Sequence, residues 1–170
     1  SIEITPFCHF LLKLFVCAIF NNRSYEYVKS FIHGFFALDR GDYSIFVVSY
    51  LLDRLNDLDI KECQQKVPQI TNICCDLFMN ISFILRDRKV NPPPYIPFFI
   101  QNVCNFIDFF NTTEIVNSFL FLLNEISYNS STIALNIVSI VSDCKVIQSL
   151  QNYREIISML ESPMTNLPLN

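Results

Sequence analysis

The chain has 170 residues, of which 51% are hydrophobic, and it carries a net charge of −4 at neutral pH. A chain of this length and apolar content buries a substantial core, which excludes global disorder and fits one domain or a few structural repeats. The acidic balance suits a basic partner, and the basic patch at residues 86–89 is too short and too mixed in charge to indicate a nucleic-acid surface.

The cysteines and the start of the chain bear on the compartment. Seven cysteines are an odd number and most lie among apolar residues, as reduced cysteines do, so we expect a reducing compartment. Four Asn-x-Ser/Thr sequons leave a secreted protein as the alternative.

The longest nearly apolar run, residues 7–20, contains His9 and Lys13 and is too short to span a membrane. Since the chain begins at Ser1 without a leader, we expect a piece of a longer protein.

Apolar residues recur every three or four positions along nearly the whole chain, and only two glycines are present. This spacing predicts an all-α fold without a sheet. Thr5-Pro6 is a typical helix start, with a capping hydroxyl followed by proline in the first turn. The predicted helices, in chain order, span about residues 5–20, 24–41, 42–55, 68–82, 96–110, 113–128, 131–142 and 153–160.

Prolines and helix character predict how these helices are arranged. Pro68 opens the fourth helix, and the prolines at 92–94 forbid its extension because proline lacks an amide hydrogen and clashes with the preceding turn. Short links between helices predict antiparallel neighbours. Nearly every helix is apolar over more than half its circumference, so each needs at least two others to cover it, as in a solenoid of stacked repeats.

No residue pattern typical of catalysis, cofactor binding or metal binding stands out. Cys74, Cys75, His9 and His33 lack metal-ligand spacing, and a chain with two glycines offers no phosphate-binding loop. We therefore expect no enzyme activity, no cofactor, no metal and no small-molecule substrate. The phenylalanines follow the spacing of a buried face, so we expect them in the core rather than stacked on bases. They are Phe31, Phe35, Phe36, Phe106, Phe109, Phe110, Phe119 and Phe121.

Four short segments occur in an order typical of one known family. They are Phe78-Met79-Asn80-Ile81-Ser82, Asn91-Pro92-Pro93-Pro94, Ile96-Pro97-Phe98-Phe99-Ile100 and Glu114-Ile115-Val116. In this order they resemble the armadillo repeats of importin-alpha (karyopherin-alpha), the adaptor that carries nuclear-localisation signals. The resemblance implies one domain over residues 1–170, an armadillo/HEAT-like right-handed α-solenoid of about four repeats. The repeats would span about residues 6–41, 42–88, 94–128 and 129–163.

The resemblance also implies a peptide-binding groove. In this family, asparagine amides bind the backbone of an extended basic peptide, tryptophan rings hold the stems of its Lys and Arg side chains, and acidic residues pair with their charged ends. The tryptophan positions correspond to Gly34, Asp76 and Phe121, and the paired Asn or Tyr positions to Leu38, Asn80 and Glu125. Their separations fit the ~40 to 47 residues of such repeats. The implied peptide-binding residues are Asn80, Asp76, Asp42, Phe121 and Glu125.

An importin-alpha-like role implies cytoplasmic and nuclear localisation, cargo peptides as ligands, and a transport receptor bound through a region outside this chain. The chain has no tryptophan, which favours as alternative a generic armadillo or HEAT scaffold for a constitutive partner. A second alternative is a helical assembly domain of a ribosome-biogenesis factor, since residues 24–36 resemble the last helices of a WD-repeat protein of the small-subunit processome. Asn80 also fits a helix-end residue, and Asp42 fits the N-cap of its own helix.

Overall fold

The computed structural model describes residues 67–86 and 95–162 continuously, together with single helical positions at 6, 10, 26, 27, 30 and 34. The two continuous segments are all-helical, which confirms the predicted all-α class for this part of the chain. Their helices are α1 (Val67–Arg86), α2 (Ile96–Phe109), α3 (Thr113–Asn129), α4 (Ser131–Ser142), α5 (Lys145–Gln148) and α6 (Tyr153–Glu161). Asp42 and most of the predicted helices before residue 67 lie outside the described residues.

Proline and hydroxyl side chains determine where the helices begin. Pro97 lies in the first turn of α2, where its missing amide hydrogen would have had no partner in the helix. The Thr112 hydroxyl accepts a hydrogen bond from the amide of Ile115 at 3.4 Å and caps α3. Ser130 caps α4 in the same way through the amide of Ile133. These caps satisfy amides that the first turn of a helix leaves unpaired.

Two local predictions were wrong. The fourth predicted helix was expected to end at Ser82, but α1 continues for another turn to Arg86. The Ser82 hydroxyl donates to the carbonyl of Phe78 at 2.9 Å within the helix, and Leu85 is 6% exposed, so core packing favours the extra turn. The short helix α5 was not predicted because four residues are too few to show an apolar period.

Helices that are separated in the chain by one other helix pack side by side, α1 on α3 and α2 on α4. Thr71, near the start of α1, contacts Thr112, the residue before α3, with 3.4 Å between their Oγ1 atoms. Arg86, the last residue of α1, contacts Glu125 in the second half of α3. Contacts that join start to start and end to end require parallel helices. Likewise, the packing of α2 on α4 brings Asp108, near the end of α2, to the residues that follow α4.

The last helix departs from this order, because the short helix α5 precedes it. The hydroxyl of Ser127, near the end of α3, donates to the carbonyl of Met159, near the end of α6, at 2.8 Å, so α3 and α6 are parallel. The hydroxyl of Tyr153, at the start of α6, contacts the carbonyl of Ser142, at the end of α4, at 3.4 Å, so α4 and α6 are antiparallel. The described helices therefore form two sets, with α1, α3 and α6 in one and α2 and α4 in the other.

The core lies between these two sets. The ring of Phe78 on α1 meets Phe99 on α2 at a centroid distance of 6.1 Å and Phe119 on α3 at 5.9 Å. Each of these three residues is at most 1% exposed. Phe106 and Phe110 are also buried, as predicted, but the expectation that Phe121 belongs to the core is wrong, since it is 47% exposed. Side chains two positions apart on an α-helix point in nearly opposite directions, so Phe119 and Phe121 cannot share the buried face.

Candidate functional site

Helix α3 presents a stripe of four exposed side chains on the side away from the core. They are Asn117, Phe121, Asn124 and Tyr128, and their spacing of four, three and four residues keeps them on one face of the helix. Phe121 is 47% exposed and Tyr128 is 49% exposed, although both are large aromatic residues. Amide and aromatic side chains therefore alternate along what we call the α3 stripe.

A groove lies on each side of the α3 stripe. The first groove, between α1 and α3, has a volume of about 330 Å³ and is lined by Met79, Asn117 and Phe121 among others. The second groove, between α3 and α6, has a volume of about 600 Å³ and includes Asn124 and Tyr128. Because the stripe contributes to both grooves, it forms the ridge between them. A ligand that crosses α3 would contact both grooves and the stripe.

The first groove borders a cluster of one cation, one anion and two aromatic rings, which we call the Arg86 cluster. The guanidinium of Arg86 donates two hydrogen bonds to the carboxylate of Glu125, from Nε and from Nη2, each 2.8 Å long. Its central carbon lies 5.8 Å from the ring centroid of Phe83 and 5.8 Å from that of Phe121. The cluster thus combines a bidentate ion pair with two cation–π contacts.

Glu125 is held in place and kept ionised by its surroundings. Its side chain is 12% exposed, against 48% for Arg86. The amide nitrogen of the Asn129 side chain donates to a Glu125 carboxylate oxygen at 3.2 Å and to the Glu125 carbonyl at 2.8 Å. The hydrogen bond from Arg86 holds the pKa of Glu125 below its usual range, although partial burial acts in the opposite direction. Glu125 in turn raises the pKa of Arg86.

Acidification is expected to remove the stabilisation that Glu125 provides. Since its pKa is lower in the folded protein, this contribution is complete above the unfolded pKa of roughly 4.3 and is lost as the pH falls through the folded pKa. Urea denaturation of the wild type and of Glu125→Gln should give a constant difference in unfolding free energy above about pH 5 and a shrinking one below about pH 4. A difference that does not change over this range would contradict the ion pair.

The structure brings together two of the five residues that the sequence assigned to peptide binding. Phe121 and Glu125 meet at the guanidinium of Arg86. Asp76 is half-buried on α1, one turn before the exposed Met79 of the first groove. For Asn80 the structure describes the helical backbone position in α1, and Asp42 lies outside the described residues. The peptide-binding roles of all five remain predictions.

Sequence reasoning missed the remaining members of this surface. The signal for Asn117, Asn124 and Tyr128 was present, because their spacing with Phe121 marks one helical face. Arg86 was considered only as part of the basic patch at residues 86–89, which was judged too short and too mixed in charge to indicate a nucleic-acid surface. Its partner Glu125 lies 39 residues away, and no local pattern reveals a contact over that distance.

A second cluster joins α2 to α5. The carboxylate of Asp108 accepts hydrogen bonds from the backbone amides of Lys145 at 3.2 Å and Val146 at 2.9 Å, and from the thiol of Cys144 at 3.4 Å. A hydrogen bond with Cys144, followed by burial, raises the pKa of Cys104, so this thiol stays protonated and is a poor nucleophile. Within the described residues, no group of three or more His, Cys, Asp or Glu side chains could hold a metal ion.

Two further findings bear on identity. In the described part of the chain, no helix has both the length and the apolar character needed to cross a bilayer. No family model, curated protein or solved structure matches the chain. The relationship to importin-alpha therefore stays a prediction, and the surface around the α3 stripe is what bears on function.

Proposed function

We propose that this protein is an adaptor built from stacked helical repeats, which binds an extended segment of a partner protein across α1, α3 and α6. The observation that carries this proposal is the α3 stripe, which is exposed, alternates amide and aromatic side chains, and lies between two grooves. Soluble domains usually bury large aromatic residues, and exposed ones beside a groove are typical of binding surfaces.

Repeat stacking is supported by the contacts between α1 and α3. These contacts join residues that are 39 to 43 positions apart in the chain. This offset is close to the ~40 to 47 residues of armadillo and HEAT repeats. Parallel packing of helices separated by one helix is also what two-helix repeats of the HEAT type require, because equivalent helices of neighbouring repeats lie side by side. An armadillo/HEAT-like right-handed α-solenoid is the architecture that we propose for the whole chain.

The α3 stripe suits an extended chain that runs across the helices. An asparagine amide can donate to a peptide carbonyl and accept from a peptide N–H at the same time, so Asn117 and Asn124 could bind backbone groups one helical turn from an aromatic ring. Packed helices lie 8–10 Å apart, so three of them span about 20 Å. About six residues of extended peptide cover that distance.

Charge favours a basic segment. The chain has a net charge of −4, while the second groove carries one charged residue of each sign, Glu155 and Arg154. The Arg86 cluster further shows that Phe121 and Glu125 together accommodate a guanidinium. In the importin-alpha-like version of this proposal, the segment is the nuclear-localisation signal of a cargo protein. The generic scaffold for a constitutive partner is the second candidate, and it is favoured by the fact that Arg86 already fills this position.

Calorimetry with the full chain tests this function. We expect a Lys- and Arg-rich peptide to bind with an affinity that falls as salt rises, and its glutamine-substituted counterpart not to bind. Asn124→Ala and Tyr128→Ala should each weaken binding by roughly tenfold, the loss of about 1.4 kcal/mol of contact. Asn136→Ala and Leu135→Ala are matched controls on α4, where both residues are exposed in the other helix set. They should leave affinity unchanged.

Two results would contradict the proposal. Absence of heat with every basic peptide would remove the basic-segment function and leave the generic scaffold. Equal losses in the α3 and α4 variants would show that the peptide does not use the α3 stripe.

A further inference from the structure

The Arg86 cluster contains three groups that are positioned independently of the arginine. Phe121 and Glu125 lie one turn apart on α3, and Phe83 lies across from them on α1. Asn129 holds the carboxylate from its own helix, and the packing of α1 on α3 places each ring 5.8 Å from the same guanidinium carbon. If Arg86 left, a carboxylate with little exposure and two half-exposed rings would remain around the vacated position.

Of the two charged members of the cluster, Arg86 is the more exposed. It is the last residue of α1, and its side chain is 48% exposed while that of Glu125 is 12% exposed. A long side chain at a helix end can rotate into water without any movement of the helix axis. Its departure would leave the carboxylate without its cation, so the vacated position would favour a replacement cation.

We propose that Phe83, Phe121 and Glu125 form a guanidinium-binding site, that Arg86 is its internal occupant, and that an arginine of a bound partner segment displaces it. The site adjoins the first groove through Phe121, so a segment lying in that groove would reach it. The identity of the incoming arginine rests on the proposed function. The existence of the guanidinium site does not.

The geometry selects arginine over lysine. The two parallel hydrogen bonds from Nε and Nη2 to the two carboxylate oxygens need a planar fork, which a lysine ammonium lacks. An incoming arginine would make the same contacts that Arg86 makes, so the exchange preserves both hydrogen bonds and both cation–π contacts. The apparent affinity of the partner then equals its intrinsic affinity multiplied by the fraction of molecules in which Arg86 has left the site.

A small probe tests the site without any partner. Arg86→Ala of the full chain should gain thermal stability when ethylguanidinium is added at millimolar concentration, whereas the wild type should not. Ethylammonium should have a smaller effect, and the double variant Arg86→Ala, Glu125→Gln should not respond to either ion. Arg86→Gln serves as a second single variant, because it keeps a polar side chain at the end of α1 if alanine impairs folding. Equal responses of the wild type and both single variants would overturn the site.

A peptide then tests displacement. Arg86→Ala should bind an arginine-containing peptide about tenfold more tightly than the wild type, the ratio expected if Arg86 fills the site about 90% of the time. A peptide with lysine in place of arginine should gain less. In the wild type, the ¹⁵N signal of the Arg86 Nε should move on addition of the arginine peptide.

The outcomes separate the two proposals. If ethylguanidinium stabilises Arg86→Ala but no peptide binds any form of the protein, the guanidinium site stands and the proposed function is wrong. If peptides bind and Arg86→Ala binds them no better than the wild type, displacement is wrong and the Arg86–Glu125 pair is purely structural.

Discussion

Phe78→Ala is expected to lower the free energy of unfolding by about 3 to 5 kcal/mol. The Phe78 ring is 1% exposed and contacts the rings of Phe99 and Phe119, which come from the other two helices at the centre of the core. Its removal takes away the buried ring and leaves a cavity where α1, α2 and α3 meet. A loss of this size is a large part of the 5 to 15 kcal/mol that typically stabilises a domain.

Urea denaturation followed by far-ultraviolet circular dichroism measures this loss, since the chain has no tryptophan for fluorescence. Phe83→Ala is the matched control, because Phe83 is the same residue type on the same helix but is 56% exposed. We expect that control to cost less than about 1 kcal/mol. Similar losses in the two variants would show that Phe78 is not at the centre of the core.

Asp108→Ala is expected to cost about 2 kcal/mol, because hydrogen bonds to a charged group contribute more than neutral ones. The Asp108 carboxylate accepts hydrogen bonds from two backbone amides at the start of α5, those of Lys145 and Val146. Alanine would leave both amides without this partner and would detach the start of α5 from the end of α2. Asp108→Asn should cost less than alanine, since an amide oxygen can still accept one of the two bonds.

The control for this variant is Asp143→Ala. Asp143 is exposed, carries the same charge and lies next to Cys144, so its removal should change stability by no more than about 0.5 kcal/mol. Hydrogen exchange provides a second measurement, since the amide of Val146 should lose protection in Asp108→Ala and keep it in Asp143→Ala. If the two variants behave alike, the loss is a general charge effect rather than the loss of the Asp108 hydrogen bonds.

Much of the described fold could be predicted from the sequence. The bounds of α2, α3, α4 and α6 were predicted to within about one residue from apolar periodicity, because the signals that end a helix act within one or two turns, as do Pro97 and the caps Thr112 and Ser130 that the structure shows. The extension of α1 beyond Ser82 was missed because it depends on the burial of Leu85 against other helices. The same reason explains the exposed Phe121, which the apolar spacing assigned to the core.

The candidate site could be predicted only in part. The resemblance pointed to Phe121 and Glu125, and the structure places both at one guanidinium. Neither the resemblance nor the spacing pointed to Arg86 as their partner. Only the parallel packing of α1 on α3 places the Arg86 side chain against Glu125.

By itself, the sequence determined that this part of the chain is helical, where most helices begin and end, and which phenylalanines had the spacing of a buried face. These properties depend on contacts between residues at most four positions apart. Only the tertiary structure decided that α1 and α3 run side by side, which aromatic residues of α3 remain exposed, and which cation pairs with Glu125. Those outcomes depend on residues about 40 positions apart, whose approach is determined by how whole helices share one core.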